Sequence, residues 1–180
     1  SEVRADAVVS AIDGRTALFE LLEGRFVGRR LRKIYGSFPV GPSPVMVALG
    51  VAKEFPELPR ASFGHVFRLA EPVALAGSRV AWLRPMVYNY DPTLAPPGRT
   101  LVRVVVASDY DYWSGLAAAK YREEKERTAD IVVSLLEQRF PGLGARIEMR
   151  DVATPLTLER TTGNWKGSAI GWDLAPRTFM

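Results

Sequence analysis

Apolar residues cluster along this chain in short stretches of strand length, separated by turn residues. The strongest strand prediction covers residues 101–107, because this stretch is rich in valine. Residues 45–51 form a continuous apolar run bounded by turn signals, which is typical of a buried strand. Shorter apolar stretches predict five further strands, at residues 5–12, 65–69, 80–83, 86–90 and 147–152.

Helical spacing of apolar residues predicts one long helix over residues 121–140. Its first half is almost entirely charged and is expected to face water, and Pro141-Gly142 ends it. Shorter helices are predicted at residues 16–22, 25–36 and 156–160, the last opened by Pro155. The apolar face of the long helix carries Ala129, Val132, Val133, Leu136 and Phe140.

This order of elements predicts an α+β fold with a largely antiparallel sheet flanked by helices. The length of 180 residues fits about one domain, with enough material for a real core. The same pattern also suits a lipid-binding module in which helices cover a sheet, so both interpretations stay open at this level.

Cysteine is absent, which excludes disulfides, thiolate metal sites and a cysteine nucleophile. No apolar run approaches the length of about 18 residues that spans a bilayer, and no signal-peptide pattern opens the chain. A cytoplasmic protein is therefore the simplest expectation.

One short segment concentrates positive charge. Apolar residues recur within it at helical spacing, so two interpretations are open: a solvated charged face over a small core stripe, or peripheral contact with an anionic membrane. Nucleic acid is not an expected partner, because the basic residues do not interleave with aromatic ones. The basic residues of the segment are Arg25, Arg29, Arg30, Arg32 and Lys33.

Several kinds of active site are excluded by what the chain lacks. His65 is the only histidine, and no nucleophile-elbow sequence accompanies it, so neither a Ser-His-Asp hydrolase nor a transition-metal site is expected. Asp109 and Asp111 fit a strand-to-helix junction better than a cation loop. Gly142-Leu-Gly144 lacks the third glycine of a dinucleotide fingerprint. Glu159-Arg160 suggests an ion pair rather than an acid–base couple.

The most informative stretch is residues 153–172. Three glycines fall four apart, at Gly163, Gly167 and Gly171, with Trp165 and Trp172 among them. Glycine lets a flat ligand or another backbone approach closely, and tryptophan offers a broad apolar face. The stretch is either one wall of a binding site or a set of tight turns with the two tryptophans in the core.

Three motifs together carry a family resemblance. They are DPTLAPPGRT at residues 91–100, RFPGL at 139–143 and TPLTLERTTGNWKGSAIGW at 154–172. In this order they resemble the phytoene desaturase-related FAD-dependent oxidoreductases, which include carotenoid desaturases, carotenoid isomerases and retinol saturase. ADAVVSAIDG at residues 5–14 is similar to the strand on which these flavoproteins return to their FAD domain.

The resemblance implies that this chain is a fragment of a larger enzyme and is inactive alone. Residues 1–14 would be a residual strand of the FAD-binding domain, and residues 15–172 the substrate domain of an amine-oxidase-like flavoprotein. Residues 173–180 would begin the return to the FAD domain. The enzyme would pass a hydride between a long apolar polyene or isoprenoid and FAD, most of whose site would lie outside this chain.

The resemblance also supplies candidate residues for the flavin or the mouth of a substrate tunnel, with catalytic residues unknown. One departure is Thr161, where relatives usually carry an aromatic residue. A non-catalytic polyene-binding module, or an interaction domain with an exposed apolar face, are the alternatives in other classes. The candidate cofactor-binding residues are Ala11, Gly163, Asn164, Trp165, Gly167, Ser168, Gly171 and Trp172.

Overall fold

Six strands form two antiparallel sheets in the computed structural model, which describes residues 3–60, 64–173 and 176. The strands are β1 (Ser43–Val51), β2 (Phe67–Leu75), β3 (Ser78–Leu83), β4 (Pro85–Val87), β5 (Thr100–Ser108) and β6 (Ile147–Ala153). The larger sheet has the order β4-β5-β1-β6, and β2 and β3 form a separate hairpin. With helices around these sheets, the predicted α+β class is confirmed.

Strands β1 and β5 form the centre of the larger sheet. They pair along nine residues each, and Val47 lies opposite Val104. Alternate residues of both strands are buried, as the period of two in a strand requires. The prediction of strands at residues 45–51 and 101–107 is therefore confirmed, because valine and leucine at these positions fill the core.

Four α-helices accompany the sheets: α1 (Arg29–Ser37), α2 (Tyr110–Ser114), α3 (Ala118–Arg139) and α4 (Pro155–Thr162). A π-helical turn precedes them at Thr16–Leu21. Helix α3 buries Ala129, Val132 and Leu136 against the core, as predicted, and its charged first half is largely exposed. None of the helices in the described ranges is long and apolar enough to cross a membrane.

The junction between β5 and α2 carries the largest buried side chain. Trp113 is fully buried, and its indole N–H donates to Ser108 Oγ at 2.8 Å. Asp109 caps the helix by accepting a hydrogen bond from the backbone N–H of Asp111. Asp109 thus belongs to a strand-to-helix junction, as the sequence predicts.

The predicted buried strand at residues 5–12 is wrong. This segment has no regular structure, and Val8 and Val9 are 88% and 91% exposed. A strand needs a neighbour to satisfy its backbone hydrogen bonds, and no strand of the described chain pairs with this one.

Several element boundaries also differ from prediction, among them those of α1, β2 and β4. Helix α1 begins at Arg29 instead of residue 25, because Gly28 is extended and precedes the helix as its N-cap. Strand β2 continues to Leu75 despite Pro72, since the ladder shifts register between Arg68 and Val73 and tolerates proline there. Strand β4 ends at residue 87, three residues before the predicted end at residue 90.

Candidate functional site

Helix α4 presents the C-terminal motif to the sheet. Thr154 caps the helix by accepting from the backbone N–H of Thr157, and Pro155 occupies its first turn. Gly163 ends it with a φ of +72°, and the Gly163 N–H donates to the Glu159 carbonyl at 2.8 Å. Nothing lies within 4 Å of a side chain at this position, so Gly163 serves the left-handed helix end rather than close packing.

Gly167 has a different role. A Cβ atom there would lie 2.2 Å from the carbonyl oxygen of Pro155, and φ is +61°. The turn after α4 therefore folds back onto the start of the same helix at a distance that only glycine permits. For this glycine, the interpretation as close packing is the one that the contacts support.

Trp172 joins the motif to the segment before β1. It forms an isolated antiparallel bridge with Val40, and the Gly41 N–H donates to the Gly171 carbonyl at 2.7 Å. Its ring packs edge-on against Tyr35 and Phe38, with centroid distances of 4.9 and 5.8 Å. Trp172 is partly buried in a small aromatic cluster that is separate from the main core.

Lys166 occupies an unusual backbone conformation, with φ 54° and ψ 27°. This left-handed region is disfavoured for residues with a side chain. Its N–H donates to Glu159 at 3.0 Å, its carbonyl accepts from Ser43 Oγ at 2.5 Å, and its Nζ pairs with Asp111 at 2.8 Å. Residues held in such conformations often lie at binding sites, because surrounding contacts must offset the strain.

The Glu159 carboxylate connects helix α2 to the turn that contains Lys166. It accepts from the Tyr110 hydroxyl at 2.5 Å as well as from the Lys166 N–H. This hydrogen bond, assisted by burial, raises the pKa of Tyr110 to about 12. The sequence-based expectation of an ion pair at Glu159-Arg160 is wrong, since the Glu159 carboxylate faces Tyr110 and the turn.

An open groove lies beside this turn; we call it the motif groove. It consists of two adjoining hollows of about 540 and 260 Å³ that share Arg15, Tyr35, Val40 and Trp165. Residues from five parts of the chain meet here: the N-terminal segment, the end of α1, the segment before β1, the β5–α2 junction and the C-terminal motif. Its surface combines aromatic rings with both signs of charge.

Arg15 forms one wall of the groove. Its guanidinium lies 4.0 Å from the ring centroid of Trp165, which is 38% exposed. Asp13 fixes this segment by accepting from the backbone N–H groups of Arg15 and Thr16. Burial, with a smaller contribution from the Asp13 charge, raises the pKa of Tyr35, which also lines the groove.

The structure separates the eight predicted site residues into three groups. Trp165, Ser168, Gly171 and Trp172 line the motif groove. Gly163, Asn164 and Gly167 shape the turn instead; the Asn164 side chain donates to the Ser168 carbonyl at 3.1 Å. Ala11 is exposed in the irregular N-terminal segment and does not line the groove.

Sequence reasoning missed Arg15, Tyr35 and Lys166 as groove residues. Lys166 could have been found from the sequence, because it lies inside the motif between Trp165 and Gly167. No local pattern marks Arg15 or Tyr35, because only tertiary contacts bring these two residues to the groove. Thr161 is exposed, and its hydroxyl donates back to the Thr157 carbonyl at 2.8 Å. Across residues 3–60 and 64–173, no group of histidine and acidic side chains is arranged to hold a metal.

Comparison with known proteins finds partial similarity to plant prolycopene isomerases, whereas no protein-family model matches the chain. The chain is 38% identical over 71 residues to prolycopene isomerase 2 of an Oncidium hybrid cultivar, and 37% identical over 71 residues to the chloroplastic prolycopene isomerase of Daucus carota. It is 35% identical over 79 residues to that of Arabidopsis thaliana. These matches cover 39% to 43% of this chain but span only 12% or 13% of the relatives' length.

Proposed function

We propose that this chain supplies the substrate-binding domain of an FAD-dependent oxidoreductase related to phytoene desaturase and acting on a long apolar polyene. One observation carries the proposal: the motif at residues 154–172, which resembles that family, also lines the motif groove. The partial similarity to enzymes named prolycopene isomerases supports the same substrate class.

The groove suits one side of a flat cofactor. Trp165 and Trp172 offer aromatic surface, and Gly171 has open space where a side chain would be. Arg15 and Lys166 add positive charge at the same place. When bound, FAD supplies a hydride acceptor or donor. Trp165, Ser168, Gly171 and Trp172 are the residues of this chain that would contact it.

The phosphate half of such a cofactor needs a glycine-rich strand–turn–helix, which this sequence does not contain. We therefore assign that half to another part of a longer polypeptide with an amine-oxidase-like fold. The exposed, unpaired segment at residues 5–12 supports this assignment, because its apolar residues and free backbone suit a strand that pairs elsewhere. On this proposal, residues 1–14 belong to the cofactor domain and residues 15–172 to the substrate domain.

Residues 173–180 would then lead back to the cofactor domain; apart from residues 173 and 176, this stretch lies outside the described residues. Within the groove, the chain's contribution is binding and orientation. Because the pKa of Tyr110 is about 12, its hydroxyl keeps its proton at neutral pH and goes on donating to Glu159. That bond holds α2 against α4 and so keeps the wall formed by Lys166 in place.

A non-catalytic polyene-binding module is the second candidate. It is favoured by the fact that the described elements line the groove by themselves, without a second domain. This candidate predicts that the 180-residue chain binds a polyene without FAD. The oxidoreductase proposal predicts weak binding of either ligand by this chain alone, since half of each site would be missing.

The decisive experiment uses the protein expressed from its complete gene. FAD content and turnover of prolycopene are measured for the parent protein, for Trp165→Ala and for the matched control Trp82→Ala, whose exposed ring lies on β3 away from the groove. We expect Trp165→Ala to reduce FAD retention or turnover ~10-fold. This is the change in affinity that corresponds to the free energy of one lost aromatic stacking contact. Trp82→Ala should change neither.

Two results would contradict the proposal. If the purified protein contains no flavin and does not bind added FAD, the proposed oxidoreductase function is wrong. If the Trp165→Ala and Trp82→Ala proteins have the same FAD content and turnover, the motif groove does not contact the cofactor. Titration of the 180-residue chain with a carotenoid, followed by tryptophan fluorescence, then tests the module candidate directly.

A further inference from the structure

A second surface, remote in sequence from the C-terminal motif, combines exposed apolar side chains with positive charge. Leu21 and Phe26 are 67% and 79% exposed, and Leu22 is 43% exposed. The first two turns of α1 follow directly and carry Arg29, Arg30 and Lys33, all exposed. We call these six residues the basic–apolar patch.

The loop that carries Phe26 is held in place rather than loosely attached. The Arg32 side chain donates to the carbonyls of Gly24 and Val27, at 2.7 and 3.1 Å. Val27 is buried, with 7% of its surface exposed. Buried Val27 therefore anchors the loop, and the backbone that carries exposed Phe26 is fixed.

The cations of the patch lack the acidic partners that several basic residues have elsewhere in the fold. Arg99, Arg127 and Arg150 each form an ion pair with a carboxylate. In contrast, the side chains of Arg29, Arg30 and Lys33 have no acidic partner among the described residues. Spacings of three and four residues place Lys33 beside Arg30 and Arg29 on one helix face.

Nearby acidic residues do not cancel this charge. Glu23 pairs with Arg25 at 2.5 Å, and Glu20 is the other acidic residue of the segment. Residues 20–33 contain five basic and two acidic side chains, so they keep a net excess of three positive charges. An apolar surface next to uncompensated cations is complementary to a lipid bilayer with anionic headgroups.

We propose that the basic–apolar patch docks this protein on the surface of an anionic membrane. Leu21, Leu22 and Phe26 enter the boundary between headgroups and acyl chains, and Arg29, Arg30 and Lys33 meet the lipid phosphates. The contact is peripheral and reversible, because it combines one short apolar cluster with a few charges. It rests on residues 20–33 alone and does not depend on the function proposed for the motif groove.

The test is co-sedimentation of the protein, expressed from its complete gene, with vesicles of phosphatidylcholine alone or mixed with phosphatidylglycerol. We expect binding to the mixed vesicles at low salt and loss of binding at high salt. The triple variant Arg29→Gln, Arg30→Gln, Lys33→Gln should bind roughly 100-fold more weakly, since each basic residue near an anionic surface contributes about five-fold in affinity. Phe26→Ser should weaken binding about 10-fold at constant charge.

A matched control removes the same charge from other surfaces: Arg79→Gln, Arg84→Gln, Arg122→Gln, three exposed residues outside the patch. This control should bind mixed vesicles like the parent protein, and circular dichroism should show that every variant is folded. Three outcomes would overturn the proposal. They are equal loss in both triple variants, equal binding to both kinds of vesicle, and no vesicle binding at all, as expected if an acidic protein or another part of the polypeptide covers the patch.

Discussion

The β1–β5 ladder and the turn at residues 163–172 meet at Ser43, but different forces hold them. In the ladder, Ser43 pairs with Ser108 at the start of nine paired positions, and the core-facing valines and leucine are almost completely buried. In the turn, Ser43 donates to the carbonyl of Lys166, one of four residues there with positive φ. Apolar burial stabilises the first region, and a few polar contacts stabilise the second.

This difference indicates which of the two regions can expose side chains to another molecule. The ladder gains free energy by excluding water, so its core-facing side chains are not accessible to a ligand. The turn keeps Trp165, Gly171 and Ile170 exposed and fixes its backbone with hydrogen bonds to Glu159 and Ser43. A region built this way offers a shaped surface to another molecule, at the expense of local stability.

The largest expected effect comes from the ladder. Leu49→Ala should lower the free energy of unfolding by about 4 kcal/mol, because Leu49 is fully buried and truncation leaves a cavity. The control Leu21→Ala, at a position 67% exposed, should change it by less than about 0.5 kcal/mol. Urea denaturation measures both, and similar values for the two variants would contradict the assignment of the core.

The second effect tests close packing within the turn. Gly167→Ala should cost about 3 kcal/mol, because its Cβ would overlap the Pro155 carbonyl and φ is positive. Gly163→Ala also has positive φ but meets no atom within 4 Å, so it should cost only about 1 kcal/mol. Equal costs in urea denaturation would show that the turn does not fold back onto α4 as described.

The third effect isolates backbone strain at Lys166. Lys166→Gly and Lys166→Ala both remove the ion pair with Asp111, but only glycine relieves the left-handed conformation. The glycine variant should therefore be more stable than the alanine variant by about 1 kcal/mol. Thermal unfolding of the two proteins gives the difference directly, and an alanine variant at least as stable as the glycine variant would argue against the strain.

The smallest effect is pH-dependent and concerns Tyr110. Since its folded pKa is raised to about 12 from the ordinary value of 10.0, the folded protein keeps a proton that the unfolded chain releases in this range. The stabilisation by Tyr110 is complete below about pH 10 and is lost as the pH rises toward about 12. Tyr110→Phe should cost about 1 kcal/mol at neutral pH and less at alkaline pH.

Urea denaturation across the alkaline range measures this change. The matched control is Tyr90→Phe, because the Tyr90 ring stacks near Tyr88 but its hydroxyl makes no hydrogen bond within the described residues. The control should be nearly as stable as the parent protein at every pH. A parallel pH dependence of the Tyr110→Phe and parent proteins would show that the bond to Glu159 does not form.

Elements defined by local patterns were predictable. The valine-rich stretch around Val104 becomes a central strand, and Pro155 opens a helix as expected. The strand predicted around Val8 failed because its apolar pattern indicates a buried partner, and the described chain has no strand beside it. Glu159 shows a similar limit: its neighbour Arg160 suggested an ion pair, whereas Tyr110, 49 residues away, is the partner in space.

The candidate site was predictable only in part. The spacing of Gly163, Gly167 and Gly171 marks a special backbone, yet nothing local distinguishes the glycine that packs against Pro155 from the two that meet open space. Arg15 has no motif around it and reaches Trp165 only because the N-terminal segment folds over the turn. The roles of these residues in binding a cofactor remain predictions, to be tested with Trp165→Ala.

The sequence alone determined the α+β class, the β1 and β5 strands, helix α3 and the position of the C-terminal motif, because periodicity and turn residues act over a few neighbours. The tertiary structure decided which motif residues face the groove and which shape the turn, and it brought Arg15, Tyr35 and Lys166 together. These choices depend on contacts between distant segments, whose geometry is set by how the sheet and helices pack, and no local pattern encodes that geometry.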